Sequence, residues 1–218
     1  MIRQLSLSVL LCLACPVTMA RHHHATDVDS GVPGQFDYYL LSLSWSPSYC
    51  LTHQEDRTQC GSKGLGFVLH GLWPQYDSGR YPQYCSADRP LPEQAAALGQ
   101  TLYPSPKLMQ HEWKSHGTCS GLDALNYFRT ADRALATVQV PAMFEAPRSS
   151  LTLSGMQIAT AFRAANPALP DDGLTVACSR GQLSEVRICL TRELTLRACG
   201  RGVRSNCPDI PVLIRSSR

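Results

Sequence analysis

Eight cysteines constrain this chain more than any other feature: Cys50, Cys60, Cys85, Cys119, Cys178, Cys189, Cys199 and Cys207. They follow a segment built like an export signal. Arg3 supplies a short positive region, Leu5 to Ala14 an apolar run, and Thr18-Met19-Ala20 a small-x-small cleavage site. An even number of cysteines in an exported chain predicts a disulfide framework. None of them forms the C-x-x-C pair that a zinc ribbon or a dithiol redox motif needs, which argues against both. Spacing alone does not choose among the many pairings that eight cysteines allow.

The apolar run of the leader is too short to span a bilayer, which takes about 20 apolar residues, and no second candidate follows. No membrane attachment is therefore expected after cleavage, and the periplasm or the extracellular space is the expected destination. Residues 1–20 read as the cleaved leader, and residues 21–35, opening on His22-His23-His24, as a flexible polar tail. Residues 36–218 have a length compatible with one domain and one core. The formal charge of +3 includes Arg3 of the leader. The mild balance that remains permits transient contact with a polyanion without announcing nucleic-acid binding.

Along that domain, Phe36 to Trp45 alternates aromatic and aliphatic residues as a strand does, and Ser46-Pro47-Ser48-Tyr49 ends it. Cys50 and Cys60 bracket a polar surface loop containing His53. Gly66 to Leu69 suit a buried strand that delivers His70 to its end, where Gly71 and Pro74 turn the chain. Helices are predicted over Pro92 to Tyr103, over 106 to 116, after Ser120-Gly121 on the spacing of Leu122, Leu125, Tyr127, Phe128, Ala131 and Leu135, and over Met156 to Ala165. Leu174 to Ala177, Val186 to Leu190 and Leu194 to Leu196 read as short strands. Helices gathered between strand-rich ends predict an α+β domain with an antiparallel sheet and packed helices.

The chemistry concentrates in His111-Glu112-Trp113-Lys114-Ser115-His116-Gly117-Thr118-Cys119. On a helix Glu112 and His116 share one face, and His111 and Lys114 the neighbouring one. The result is a compact acid–base array, since imidazole both gives and takes a proton near neutrality. A solvated amphipathic helix with incidental histidines would show the same spacing. Zinc proteases place two histidines i,i+4 around the metal. Here the spacing is i,i+5, about 140° apart on a regular helix, and no third ligand cluster is in sequence, so no metal is expected. Setting aside His22, His23, His24 and the loop residue His53 leaves His70, His111 and His116 as the histidines available for chemistry.

Phe67-Val68-Leu69-His70-Gly71-Leu72-Trp73-Pro74 and the stretch from His111 to Cys119 resemble the two active-site segments of the ribonuclease T2 family. Phe36 to Cys50 resembles the first strand of that family, so the similarity runs from about residue 36 to about residue 207. The resemblance implies an α+β fold, export, no metal or other cofactor, and cleavage of RNA through a 2′,3′-cyclic phosphate. It implies that His70 and His116 are the acid–base pair, that His111 holds phosphate, and that Glu112 and a lysine assist. It also implies that Trp73 and Tyr81 stack a base, as readers of single-stranded RNA commonly do. Its disulfide pattern implies Cys50 with Cys60, Cys85 with Cys119, Cys178 with Cys207 and Cys189 with Cys199.

The chemistry itself needs these residue types. Cutting RNA through its own 2′-OH takes a base for that proton, an acid for the departing 5′-oxygen and cations for the charge gathering on phosphorus. Two positions depart from the family. Gln75 stands where some members carry an aspartate that helps read the base, so base preference does not transfer. Ser115 stands where lysine is common, and Lys114 is expected to replace it in part through its flexible stem. The leading expectation is therefore a monomeric, exported, metal-independent endoribonuclease acting on single-stranded RNA. The alternative is a secreted RNA-binding or toxin-like interaction protein of the same fold with weak catalysis, and the departure at Ser115 is its support.

Overall fold

A computed structural model describes residues 31–61, 63–87, 90–145 and 147–217. The predicted leader and residues 21–30 of the predicted tail lie outside the described residues. Residues 31–35, assigned from sequence to that tail, are held in place, with the Gly34 N–H donating to the Cys119 carbonyl at 2.9 Å.

In chain order the elements are β1 (Tyr38–Trp45), α1 (Ser46–Tyr49), α2 (Arg57–Cys60), β2 (Phe67–Gln75), α3 (Glu93–Leu102), α4 (Pro106–Ser115), α5 (Ala124–Ala136), β3 (Leu151–Leu153), α6 (Gly155–Ala165), β4 (Leu174–Ser179), β5 (Gln182–Leu190) and β6 (Val212–Ile214). The strands form one sheet in the order β2-β1-β5-β6-β3, with β4 also paired to β5. All pairings are antiparallel except β5 with β6, which meet in parallel at Gln182 and Leu213. The expected antiparallel sheet is thus mixed at that one point.

β1 is buried on both faces, and each face has its own task. Tyr39, Leu41, Leu43 and Trp45 join the main core with Leu69 and Leu72 of β2, Val186 and Ile188 of β5, Tyr127 and Phe128 of α5, and Ile158 and Phe162 of α6. The opposite face carries Tyr38 and Leu40, packed with Cys189 and Trp73, and then Ser42. The register of β1 against β2 slips between Ser42, opposite Gly71, and Leu43, opposite Leu69, so His70 is the extra residue of a β-bulge. Bulges re-aim a side chain, and this one lies in mid-strand. Contrary to the sequence reading, β2 does not stop at His70 but continues to Gln75.

The helices owe their limits to local chemistry. Ser105 caps α4 by accepting from Leu108 N–H, with Pro106 at the first position, where a missing N–H costs nothing. Asp123 caps α5, and Ser154 with Gln157 forms a reciprocal capping box on α6. α5 buries Tyr127, Phe128 and Ala131 as its spacing predicts, together with Ala124 and Ala134, whereas Leu125 and Leu135 are half-buried and Leu122 lies before the helix and is exposed. Arg180 and Gly181, both at positive φ, form the tight turn between β4 and β5. The strand expected at Leu194 to Leu196 reduces to one bridge between Leu190 and Leu196.

The disulfides are Cys50–Cys60, Cys85–Cys119, Cys178–Cys207 and Cys189–Cys199. Cys85–Cys119 joins the loop after β2 to the turn after α4, where Tyr84 N–H also donates to the Ser115 carbonyl at 3.0 Å. Among the described residues no helix is long and apolar enough to cross a membrane.

Candidate active site

The C-terminal half of α4 crosses β2 so that Glu112 enters the sheet beside the bulge. Its side chain is fully buried, and Oε2 accepts the indole N–H of Trp73 at 2.6 Å. Only glycine fits at position 71, because a β-carbon there would fall on Glu112 Oε2 and Trp73 Nε1. Gly117 has a comparable place one turn on, against Trp113 and Tyr127.

The bulge presents His70 between two carboxylates. Nδ1 lies 2.6 Å from Glu185 Oε1, and Nε2 lies 3.8 Å from Glu112 Oε1. His116 is the C-cap of α4, with φ −124° and ψ −45°, so its ring leaves the helical register. That departure overturns the angular separation inferred from i,i+5 spacing. His111, Glu112 and His116 each offer an atom within 4.8 Å of the others. Within that trio Glu112 Oε2 already accepts from Trp73, and burial raises the pKa of the carboxyl to about 7. The Trp73 ring stands between the two catalytic candidates, 5.1 Å from His70 and 5.3 Å from His116.

Burial and charge drive the two histidines apart. For His70, burial alone would favour the neutral ring, but the hydrogen bond and charge of Glu185, helped by Glu112, outweigh it and raise the pKa. For His116, burial, reinforced by His111 and His70, depresses the pKa to about 3. His111 is also lowered, by burial and by His70. Burial pushes Glu112 up to about 7, against the opposing pull of His70 and Trp73. Among the described residues Glu112 Oε1 and His116 Nδ1 are buried without a hydrogen-bond partner, as active sites often leave their polar atoms. The arrangement favours the charged ring at His70 and the neutral ring at His116.

Of the residues singled out from sequence, the structure brings together His70, His111, Glu112, His116 and Trp73. Tyr81 stands at the margin, 46% exposed and 6.4 Å from the His116 ring. Lys114 lies on the outer side of α4, in a groove that His111 also lines. It follows Glu112 by two positions, about 200° around the axis, and lines a surface groove with Lys107, Gln110, His111 and Trp113. Ser115 is fully buried, with Oγ 3.4 Å from His111 Nδ1. Gln75 is buried and turns its amide onto the Pro74 carbonyl.

Two residues of the site escaped the sequence reading. Glu185 and Arg187 lie on β5, and Arg187 holds Glu185 Oε2 through Nε at 2.7 Å and Nη2 at 2.6 Å. Their only signal in sequence is a pair of opposite charges two apart on a strand, which usually marks a solvated face. His70 also borders a cavity of about 290 Å³, whose wall includes Ser44, Tyr49, His53, Leu108, Arg180 and Glu185.

Comparison with known proteins agrees with this geometry. Residues 36–199 match the Ribonuclease T2 family. The chain is 40% identical over 182 residues to a ribonuclease of Aeromonas hydrophila, covering 76% of each protein. Among solved structures, an RNase-related protein from Calystegia sepium superposes with TM-score 0.66 at 24% identity, over 83% of this chain and 96% of that one. RNase NT in complex with 5′-AMP superposes with TM-score 0.54 at 25% identity, over 79% and 98%. The match of both active-site segments within one continuous family alignment leads to one assignment: this chain belongs to the ribonuclease T2 family.

Proposed function

We propose that the protein is an endoribonuclease that cleaves single-stranded RNA by transesterification through a 2′,3′-cyclic phosphate, without a metal. The observation that carries this reading is geometric: the His70 and His116 rings stand 5.1 and 5.3 Å from the ring of Trp73, whose indole is held by the buried Glu112, and burial and neighbouring charge favour the charged form of the first and the neutral form of the second.

Neutral His116 takes the 2′-OH proton as O2′ attacks phosphorus, and charged His70 gives the Nε2 proton to O5′ as the P–O5′ bond breaks. Hydrolysis of the cyclic ester then reverses the roles. Neutral His70 removes a proton from water as its oxygen attacks phosphorus, and His116 returns a proton to O2′ as the P–O2′ bond breaks. His111, on the exposed edge of the cluster, contacts the phosphate, whose charge restores the proton that burial disfavours. Glu112, hydrogen-bonded to Trp73, supports the cation on His70 and fixes the indole.

This assignment orders the substrate. The nucleotide that supplies the 2′-OH lies on the His116 side, its base against Trp73 and Tyr81, and the departing nucleotide lies on the His70 side, by the cavity. Lys107 and Lys114 are assigned to the RNA backbone in the adjoining groove. RNase NT, a relative whose structure holds 5′-AMP, supports a nucleotide-sized site in this fold. The disulfide framework and the leader-like start support export, with the leader removed and the domain acting as a monomer.

The test is purified, oxidised protein on single-stranded RNA and DNA, with and without EDTA. RNA cleavage that survives EDTA, spares DNA and leaves cyclic phosphate ends is expected. Activity lost in EDTA and restored by metal would overturn the mechanism.

A further inference from the structure

Neither the family motifs nor their spacing accounts for the carboxylate on β5. Glu185 is buried, its Oε1 lies 2.6 Å from His70 Nδ1, and its Oε2 is gripped side-on by Arg187. The Arg187 guanidinium in turn lies 5.5 Å from the centre of the Trp73 ring. Across the sheet, Glu185 faces Ser44 and Arg187 faces Ser42, so small side chains on β1 leave room for the charged ones. A few residues along, the same face carries Tyr38, Leu40 and Cys189 in an apolar cluster. For stability alone an apolar residue would serve position 185 as well as a buried carboxylate, whose desolvation offsets much of its attraction to the half-exposed Arg187.

We propose that Glu185, braced by Arg187, is the positioning residue for His70: it accepts the Nδ1–H and so fixes the tautomer that leaves Nε2 for proton transfer. The inference rests on the ribonuclease reading. Glu112 does not supply this function, because its nearest oxygen is 3.8 Å from His70 Nε2 and its other oxygen is held by Trp73. The two carboxylates therefore divide the work. Glu185 orients the ring from behind and Glu112 faces the nitrogen that reacts. The logic is that of a carboxylate–histidine pair, in which a buried acceptor sets tautomer and orientation and stabilises the charged ring. The hydrogen bond and charge of His70, helped by Arg187, keep the acceptor ionised against its burial; Arg187 also holds it in one rotamer, and its place over Trp73 couples that brace to the proposed base platform.

His70 is faced by Glu112 from α4, with His111 and His116 beyond it, and by Glu185 and Arg187 from β5. His53 and Arg180 share the cavity that it borders, and β1 contributes the uncharged Ser42 and Ser44.

The experiment compares wild type, Glu185→Gln and Glu185→Ala, each oxidised and checked by circular dichroism. It reads the His70 ring resonances by NMR titration without substrate, and the pH profile of kcat/KM on RNA. Expected are a fall in the His70 titration midpoint in Glu185→Gln, a matching downward move of the alkaline limb of the profile, and a loss of kcat of about 10- to 100-fold in Glu185→Ala. An unchanged His70 midpoint in Glu185→Gln would overturn the proposal, even if stability or rate fell, because a purely structural glutamate would move those alone. Should Glu185→Ala fail to fold, Glu185→Gln decides by the same resonance. A wild-type protein that does not cleave RNA would refute the ribonuclease reading, while the titration would still decide the Glu185–His70 pairing.

Discussion

Gly71 and the Glu112 carboxylate compete for one space: a β-carbon at position 71 would fall on Glu112 Oε2 and on Trp73 Nε1. The hydrogen bond between Trp73 and Glu112, which joins β2 to α4 inside the site, exists because residue 71 has no side chain. Gly71→Ala is expected to push Glu112 from its place. Overpacking of this kind costs about 1 to 3 kcal/mol of stability, and displaced catalytic geometry about 100-fold in rate. Denaturation midpoints and kcat on RNA check both. An alanine variant with normal turnover would show that the Trp73–Glu112 contact is dispensable.

His70 and His116 carry the proposed proton transfers, so alanine at either should lower kcat by about 10²- to 10⁴-fold with the fold retained. His111→Ala should weaken binding at least as visibly as turnover. The directions of the shifts set the pH profile of kcat/KM. His116 must be neutral, and its lowered pKa moves the acid limb down; His70 must be charged, and its raised pKa moves the alkaline limb up. The plateau should be wider than two ordinary imidazoles would give. Near-full turnover after replacing either histidine removes that residue from the pair.

Glu112 gives a stability test that needs no substrate. Burial raises its folded-state pKa to about 7 from an ordinary 4.5. Below the lower value the carboxyl is protonated in both states, and between the two values only the folded state keeps its proton. Above the higher value both states are ionised, and the folded state bears the full cost of a buried charge, on the order of 3 kcal/mol. Stability should therefore fall as pH rises through this window. Glu112→Gln keeps an acceptor for Trp73 but has no ionisation. Its denaturation midpoint should decline less than wild type between about pH 5 and about pH 8. Parallel declines in the two proteins would place the cost elsewhere.

Much of this site was legible because local chemistry decides it. The helix expected over 106 to 116 forms as α4, started by the Ser105 cap and carrying Glu112 to the site. The extent of β2 was not legible, because Gly71 and Pro74 read as turn residues. β2 is an edge strand of the sheet, so a proline and a bulged histidine break no ladder on its outer side. The closeness of His111 and His116 was hidden by the assumption of a regular helix, which ends just before His116. Glu185 and Arg187 alternate with Val186 and Ile188, a pattern that reads as one buried and one solvated face. What buries the polar face is contact with His70 and Trp73, residues more than a hundred positions earlier in the chain. Strands β3 and β6, three residues each, are too short to show any period.

Ser115 and Lys114 provide the last prediction. Ser115 lies three positions after Glu112, within about 60° of it around α4, and beside His111, so its direction suits a cation at the phosphate although its side chain carries none. Lys114 lines the outer groove instead. Lys114→Ala should leave kcat within about twofold while raising KM and flattening the salt dependence, with a slope change of about 0.7 for each single-strand phosphate no longer neutralised. Ser115→Lys should raise kcat, with its denaturation midpoint measured alongside because the position is fully buried. A large drop of kcat in Lys114→Ala, with no rise in Ser115→Lys, would instead make Lys114 the phosphate cation and require its stem to fold back over His111.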